Sequence, residues 1–417
     1  MEYLTPNFTK EMLKDYTVLV PNMCETQFTL VKAAMESEGY HKVELINSSS
    51  SEVTQLGLKY VHNDTCYPAL IVIGQFIEAL ESGKYDLDHT ALIISQSGGG
   101  CRASNYIKLL RKALVRSGHS NIPVASINAN GLEEGSMMPL TFRMLLKVVA
   151  AIEYGDELVA LRNQTAAYEI NKGDSDKMLN KWLTKLDKDI RNNKNYLSFS
   201  FNKIFDEIAK DFSTIPLNKT NKVKVGVVGE IYVKFSPTGN NNLLKFLESQ
   251  NCEVNMPGLM GYIEYCLANW QMDYKFYGMS PTMGKISGLI LKYFNNVGVK
   301  MSKAMRKYGF YAPDSFYELM KKPKGILDLG TKMGEGWLLT GEMVELIEGG
   351  YENIVCAQPF GCLPNHICGK GVINSLRAKF PKANITPIDY DPSATKVNQE
   401  NRIKLMLAVA KENLEKI

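Results

Sequence analysis

The sequence predicts an α/β protein of two similar lobes, and three observations predict it. Short apolar runs of the kind that form buried parallel strands alternate with helical stretches at both ends of the chain. A charged stretch with helical periodicity separates the two alternating regions. The two regions also repeat one order of parts: VLVPNM answers VGVVGE, LIISQSGGGCR answers IVCAQPFGCLP, and IPVASINAN answers ANITPIDYD. Parallel sheets place their sites at strand ends, so both sets of ends are expected to face a shared cleft.

Bulk properties agree with this reading. The chain has 417 residues, 45% of them hydrophobic, enough for two or three packed domains. A net charge of +4 with well-mixed signs argues against nucleic acid or membrane as a partner. No apolar run reaches the roughly 18 residues of a membrane span. The opening MEYLTPNFTKEMLKDYTVLV lacks the apolar core of a signal peptide, which predicts a cytoplasmic protein.

In chain order, YTVLV is the first strand, followed by a helix from Thr26 to Gly39 and then by HKVELI as the second strand. KYVH reads as a further short strand, and NDTCYP as a turn opening a helix that runs to Ser82. HTALIISQ is a strand that enters SGGGCRASNY; a helix to Gly118 and the strand IPVASINAN, ending at Asn130-Gly131, complete a first lobe over 1–138. Residues 139–219 read as linking helices, with Trp182 and the phenylalanines as their core. The second lobe spans 220–417 with a helical insertion over 261–325. It comprises the strand VKVGVVG with GEIYVKF as a loop, a helix and strand in NNLLKFLESQNCEVN, and an amphipathic helix GEGWLLTGEMVELIEGG. The strand and loop IVCAQPFGCLPNHICGKG, a short helix, the strand ANITPIDYD and a closing helix follow. Pro359, Gly361 and Pro364 are expected to keep the cysteine-rich loop irregular.

Eight cysteines in a chain expected to stay reduced need an account other than disulfide stapling. Cys252 and Cys266 read as small hydrophobes in cores. The remaining six are Cys24, Cys66, Cys101, Cys356, Cys362 and Cys368, in expected loops or strand ends. Cys66 stands at a helix start, where free N–H groups and the helix dipole favour a thiolate. Cys101 follows three glycines, of which Gly99 and Gly100 would let the backbone approach a bulky cofactor. The close cysteine pairs of zinc ribbons are absent, as is the tight run of bacterial ferredoxins. Thiolates gathered from distant loops onto an iron–sulfur cluster fit this spacing, with a zinc site and isolated thiols as the alternatives.

Other candidates carry less chemistry. ILDLGTKMGEGW looks like a phosphate loop of an actin-like fold, yet stands alone and is read as a turn between helices. Glu230, Asp389 and Asp391 suit acid, base or cofactor roles but read first as caps or loop carboxylates. His366 reads as a ligand or as a hydrogen-bonding loop residue. Asn365 and the Gly-Lys-Gly at 369–371 read as an anion contact at a helix start or as plain loop.

Taken together, NDTCYPAL, QSGGGCRASNY, VVGEIYVKF, AQPFGCLPNHICGKG and IDYDPSATKVNQENRIKLML resemble the 2-hydroxyacyl-CoA dehydratase superfamily. More closely, the chain resembles the module that is fused to or paired with an ATP-hydrolysing activase, a group related to double-cubane cluster proteins. The resemblance covers nearly the whole chain. It implies two Rossmann-like lobes joined by helices, an iron–sulfur cluster in the interlobe cleft, and a partner activase of actin-like fold with its own [4Fe–4S] cluster. By position, Cys66 in TCYP and Cys101 in GGGCR match ligand cysteines of the first lobe, and Cys362 in PFGC, with Cys356, those of the second. Cys24 and Cys368 would raise the set to six, three per lobe, as a double-cubane [8Fe–9S] cluster uses, whereas a [4Fe–4S] cluster needs three or four. The implied activity is that of a reductase component that receives ATP-driven electrons and acts on a small substrate. A 2-hydroxyacyl-CoA dehydratase subunit and a non-catalytic electron carrier or cluster scaffold are the alternatives, and a homodimer is compatible with each.

Overall fold

The computed structural model describes residues 5–97, 100–127 and 138–415. In the first lobe β1 (Thr17–Pro21) leads through α1 (Glu25–Glu36) to β2 (Lys42–Ile46). Then come α2 (Ser51–Tyr60), α3 (Tyr67–Glu81), β3 (Thr90–Ser95), α4 (Tyr106–Arg116) and β4 (Val124–Ile127). The strands pair in parallel in the order β2-β1-β3-β4. The chain therefore adds strands to one side of β1 first and then to the other, and the switch point between β1 and β3 is where open α/β sheets leave a crevice. Asn130-Gly131 lies outside the described residues.

Three helices follow: α5 (Phe142–Ala166), α6 (Asp174–Arg191) and α7 (Ser198–Ser213). Trp182 packs there in one buried cluster with Phe201, Phe205 and Phe212, as expected.

The second lobe repeats the first. It runs β5 (Lys224–Gly229), α8 (Ile231–Phe235), α9 (Leu243–Ser249), β6 (Glu253–Asn255), then the helical wall α10 (Met260–Tyr277), α11 (Pro281–Lys307) and α12 (Phe316–Leu319). After α13 (Trp337–Glu348) come β7 (Asn353–Pro359), α14 (Leu363–Asn365), a π-helical turn His366–Lys370, α15 (Ile373–Lys379), β8 (Asn384–Tyr390) and α16 (Lys396–Glu415). Its sheet is also all parallel, in the order β6-β5-β7-β8. The two halves thus share one topology, as their repeated order of parts implied. They also share a core, in which Ile73 and Leu92 of the first lobe join one buried cluster with Val227 and Val355 of the second. Across that junction the Tyr232 hydroxyl donates to Gln75 Oε1 at 3.3 Å.

Four expectations change. KYVH is not a strand: it ends α2, a helix capped by Ser50, whose Oγ accepts from the Val53 amide. The reason is packing. Val53, Leu56 and Gly57 face α3, and a Cβ on Gly57 or Gly74 would collide with the backbone carbonyl of Leu70 or Val53, so glycine alone permits this approach. GEIYVKF is not a loop but the short helix α8, with Glu230 as its cap. The Pro359–Pro364 stretch is only partly irregular: Pro364 sits in the first turn of α14, a position that proline tolerates, and the chain coils onward through Lys370. Finally, α13 is buried from Trp337 to Ile347 rather than amphipathic, because the second sheet and the helical wall enclose it. Its Glu342 is buried against the Lys234 ammonium at 3.2 Å.

Candidate metal centre

The site begins at the carboxyl ends of the central strands. β3 runs out toward Cys101, which caps the 3-10 turn Arg102–Asn105, and the Ser104 amide donates to the Cys101 carbonyl at 3.2 Å. Gln96 holds the same turn by donating to the Ser104 carbonyl at 2.9 Å. Cys66 caps α3, and Arg102 ties that turn down by donating to the Asp64 carbonyl at 2.9 Å. In the second lobe β7 runs out toward Cys362, the cap of α14, and β5 ends one residue before Glu230.

These elements meet. Cys66 and Cys101 from the first lobe and Cys362 from the second line one cavity of about 260 Å³, together with Glu230, Glu335 and Tyr262. The same three thiols border a wider outer cavity of about 810 Å³, which Gly100 and Arg102 also line. Gly99 lies outside the described residues. Two donors address the sulfurs: the Tyr106 hydroxyl reaches Cys66 Sγ at 3.3 Å, and Asn365 Nδ2 reaches Cys362 Sγ at 3.4 Å. The same Asn365 amide donates to Glu335 Oε2 at 3.0 Å, and Glu335 Oε1 accepts from the Ile231 amide at 3.0 Å. Glu230 accepts from the Val233 amide at 2.8 Å, so its reading as a cap holds, and it borders the cavity as well.

The electrostatics are those of a neutral pocket. Burial pushes the Cys66 thiol up to about 12, with the Glu230 carboxylate adding to it and the Tyr106 hydroxyl opposing it. The helix start was expected to favour a thiolate; burial outweighs the dipole here. Burial likewise raises Cys101 and Cys362, with Glu335 close to both. Burial and the neighbouring Glu335 carboxylate push Glu230 up, and burial raises Glu335.

The other cysteines go elsewhere. Cys24 caps α1 but is buried in an apolar cluster with Ile152 and Leu259, near Asp156. Cys356 lies within β7, in the core of the second lobe, not in the loop. Cys368 is buried in the π-helical turn, where its carbonyl accepts from the Thr340 hydroxyl at 2.8 Å. None of the three lines either cavity. Cys252 and Cys266 pack against apolar clusters, as expected, and all eight cysteines are free thiols. His366 stands 3.8 Å from Asp389, to which Gln358 donates at 2.6 Å, and Asp391 caps its own turn through the Ser393 amide. The ILDLGTKMGEGW stretch is a turn between α12 and α13, and it delivers Glu335 to the cavity.

Sequence reasoning missed Glu335, Tyr106 and Tyr262. For Glu335 a signal existed. Helices α3 and α13 occupy the same place in the two lobes, just ahead of β3 and β7; Cys66 caps α3, and Glu335 lies one residue before Gly336, the cap of α13.

As a donor set, three thiols with hydrogen-bond donors on two of the sulfurs suit a soft metal. No group of three His, Cys, Asp or Glu side chains among the described residues is arranged to hold a metal ion. No helix among the described residues is long and apolar enough to cross a membrane. No protein-family model matches the chain, and no curated protein matches it.

Proposed function

We propose that the chain is the reductase component of a two-part system, holding an iron–sulfur cluster between its lobes and receiving ATP-driven electrons from an actin-like activase. The observation that carries this reading is the convergence of Cys66, Cys101 and Cys362, from both lobes, on one cavity at the strand ends. The count of three supports a [4Fe–4S] cluster over a double cubane, since Cys24 and Cys356 pack into cores and Cys368, buried in the π-helical turn, lines neither cavity. A cluster of this kind supplies one-electron transfer at low potential.

The protein's own part follows from its residues. Cys66, Cys101 and Cys362 would hold the group, and their deprotonation would be driven by the metal charge against the burial that now keeps them neutral. Tyr106 and Asn365 would donate to ligand sulfurs and so tune the potential. Glu230 and Glu335, raised by burial, offer protons beside the thiols. Tyr262 and the apolar wall exclude bulk water, and the outer cavity gives a small substrate its approach.

Anaerobic purification followed by iron, acid-labile sulfide and EPR measurements tests the reading. The expected result is about four irons and four sulfides per chain. Protein that carries neither, even after reconstitution with iron and sulfide, would falsify it.

A further inference from the structure

A third cavity, of about 110 Å³, lies away from the three thiols, enclosed by α5, α10, α11 and α13. One water needs roughly 10–15 Å³ of such space, so there is room for a small organic molecule. Its described walls carry six carboxylates and no lysine, arginine or histidine.

Four of those carboxylates have partners. Asp156 accepts from Gln27 Nε2 at 2.8 Å and from the Leu259 and Met260 amides at 3.0 and 2.8 Å. Glu342 pairs with Lys234, Asp314 pairs with Lys322 at 2.9 Å, and Glu345 accepts from the Asp314 amide at 2.8 Å. Glu153 and Glu264 differ. They are 1% and 8% exposed, both line the cavity, and Oε1 of each has no hydrogen-bond partner among the described residues. A buried carboxylate in that position must stay neutral or face a cation.

We propose that this cavity is a binding site for a small organic cation, a protonated amine or guanidinium, whose N–H groups are accepted by Glu153 and Glu264. The carboxylates here form no group suited to a metal ion. Met256, Met260, Met301 and Met305 add an apolar wall for an alkyl portion. Asp314 and Glu345 also line a neighbouring groove with Arg306.

The resting protonation agrees with this assignment. Burial raises Glu153, with Glu264 and Asp156 adding to it, and burial pushes Glu264 up to about 8, with Asp156 adding. A cation therefore displaces protons and binds more tightly as pH rises. The other titratable groups facing the cavity are Asp156, Asp314, Glu342, Glu345 and Tyr311. Of these, burial raises Asp156 and Glu342 and pushes Glu345 up to about 7, so Glu345 also loses its proton as pH rises and adds to the pH dependence, while burial pushes the Tyr311 phenol upward, so it stays neutral.

Calorimetry on the full chain with methylguanidinium chloride, against sodium chloride at equal ionic strength, tests the proposal. Saturable binding with proton release is expected at about pH 8.5, weakening at least ~10-fold at about pH 6. The E153Q/E264Q double variant should lose at least ~10-fold in affinity. Absence of saturable heat, an equal response to sodium chloride, or unchanged affinity in the double variant overturns it. If that variant does not fold, the wild-type protein titrated in two buffers of different ionisation enthalpy decides the matter, and binding without proton release overturns the assignment. Iron content does not enter any of these readouts.

Discussion

The Tyr106 hydroxyl donates to the sulfur of Cys66 at 3.3 Å, joining the start of α4 to the start of α3 at the cavity wall. This is the contact that opposes burial in setting the Cys66 thiol. Tyr106→Phe removes the donor and leaves the ring in place. The thiol should then rise further, and peptide-resolved alkylation of Cys66 by iodoacetamide in the metal-free protein should slow at alkaline pH. Unfolding in urea should show a loss of ~0.5–1.5 kcal/mol. An unchanged or faster alkylation rate would mean that this hydrogen bond does not govern the sulfur.

The cysteines divide into two classes that a serine series separates. Cys66→Ser, Cys101→Ser and Cys362→Ser should each reduce the iron retained after anaerobic reconstitution, because each removes a thiol from the shared cavity. Cys24→Ser and Cys356→Ser should keep iron content and instead cost stability, ~1–3 kcal/mol, by placing a hydroxyl in an apolar cluster. Iron loss in the second class with full retention in the first would reverse the assignment.

Gly74→Ala tests what positions Cys66. The added methyl meets the Val53 carbonyl oxygen, so α2 and α3 must separate. The expected cost is ~1–3 kcal/mol, comparable with other overpacked interiors. A variant as stable as the parent in urea unfolding would show that the two helices tolerate a wider spacing.

Stability should fall as pH rises from about 4.5 to about 8. Burial pushes Glu264 up to about 8 and Glu345 up to about 7, both above the 4.5 of a free glutamate. In that window the folded chain binds more protons than the unfolded one, so each unit of pH costs stability. Below it the trend reverses, because Glu38, although burial would raise it, is held low by Lys147 and Arg143 and loses those contacts on protonation. The optimum is therefore mildly acidic. Glu264→Gln should flatten the alkaline limb by ~2–4 kcal/mol, as measured by urea unfolding at several pH values.

Much of the architecture was legible in the sequence because it rests on local signals. Apolar runs of strand length, Gly39 and Gly118 after helices, and the matching order of the two halves all act within a few residues. The misread elements depend on what packs against them. KYVH carries enough β-branched and aromatic character to suggest a strand, and only its glycine contact with α3 makes it the end of a helix. The stretch around Trp337 has charges at regular spacing, and nothing local tells that Lys234 and the second sheet bury them. At the site, Cys66, Cys101 and Cys362 were readable because they follow turn residues at element ends. Cys356 and Cys368 look the same in sequence, and only the register of β7 and the coil after Cys362 turn them inward.

The two-to-one split of thiols between the lobes has a mechanical consequence. A group gripped by Cys66 and Cys101 on one side and Cys362 on the other is a rivet through a seam that Tyr232 and Gln75 already close. A cluster seated on those three thiols would oppose any opening of that closure. Loading would then be coupled to lobe closure, and protein reconstituted with iron and sulfide should exchange its interlobe amides with solvent more slowly than the metal-free protein.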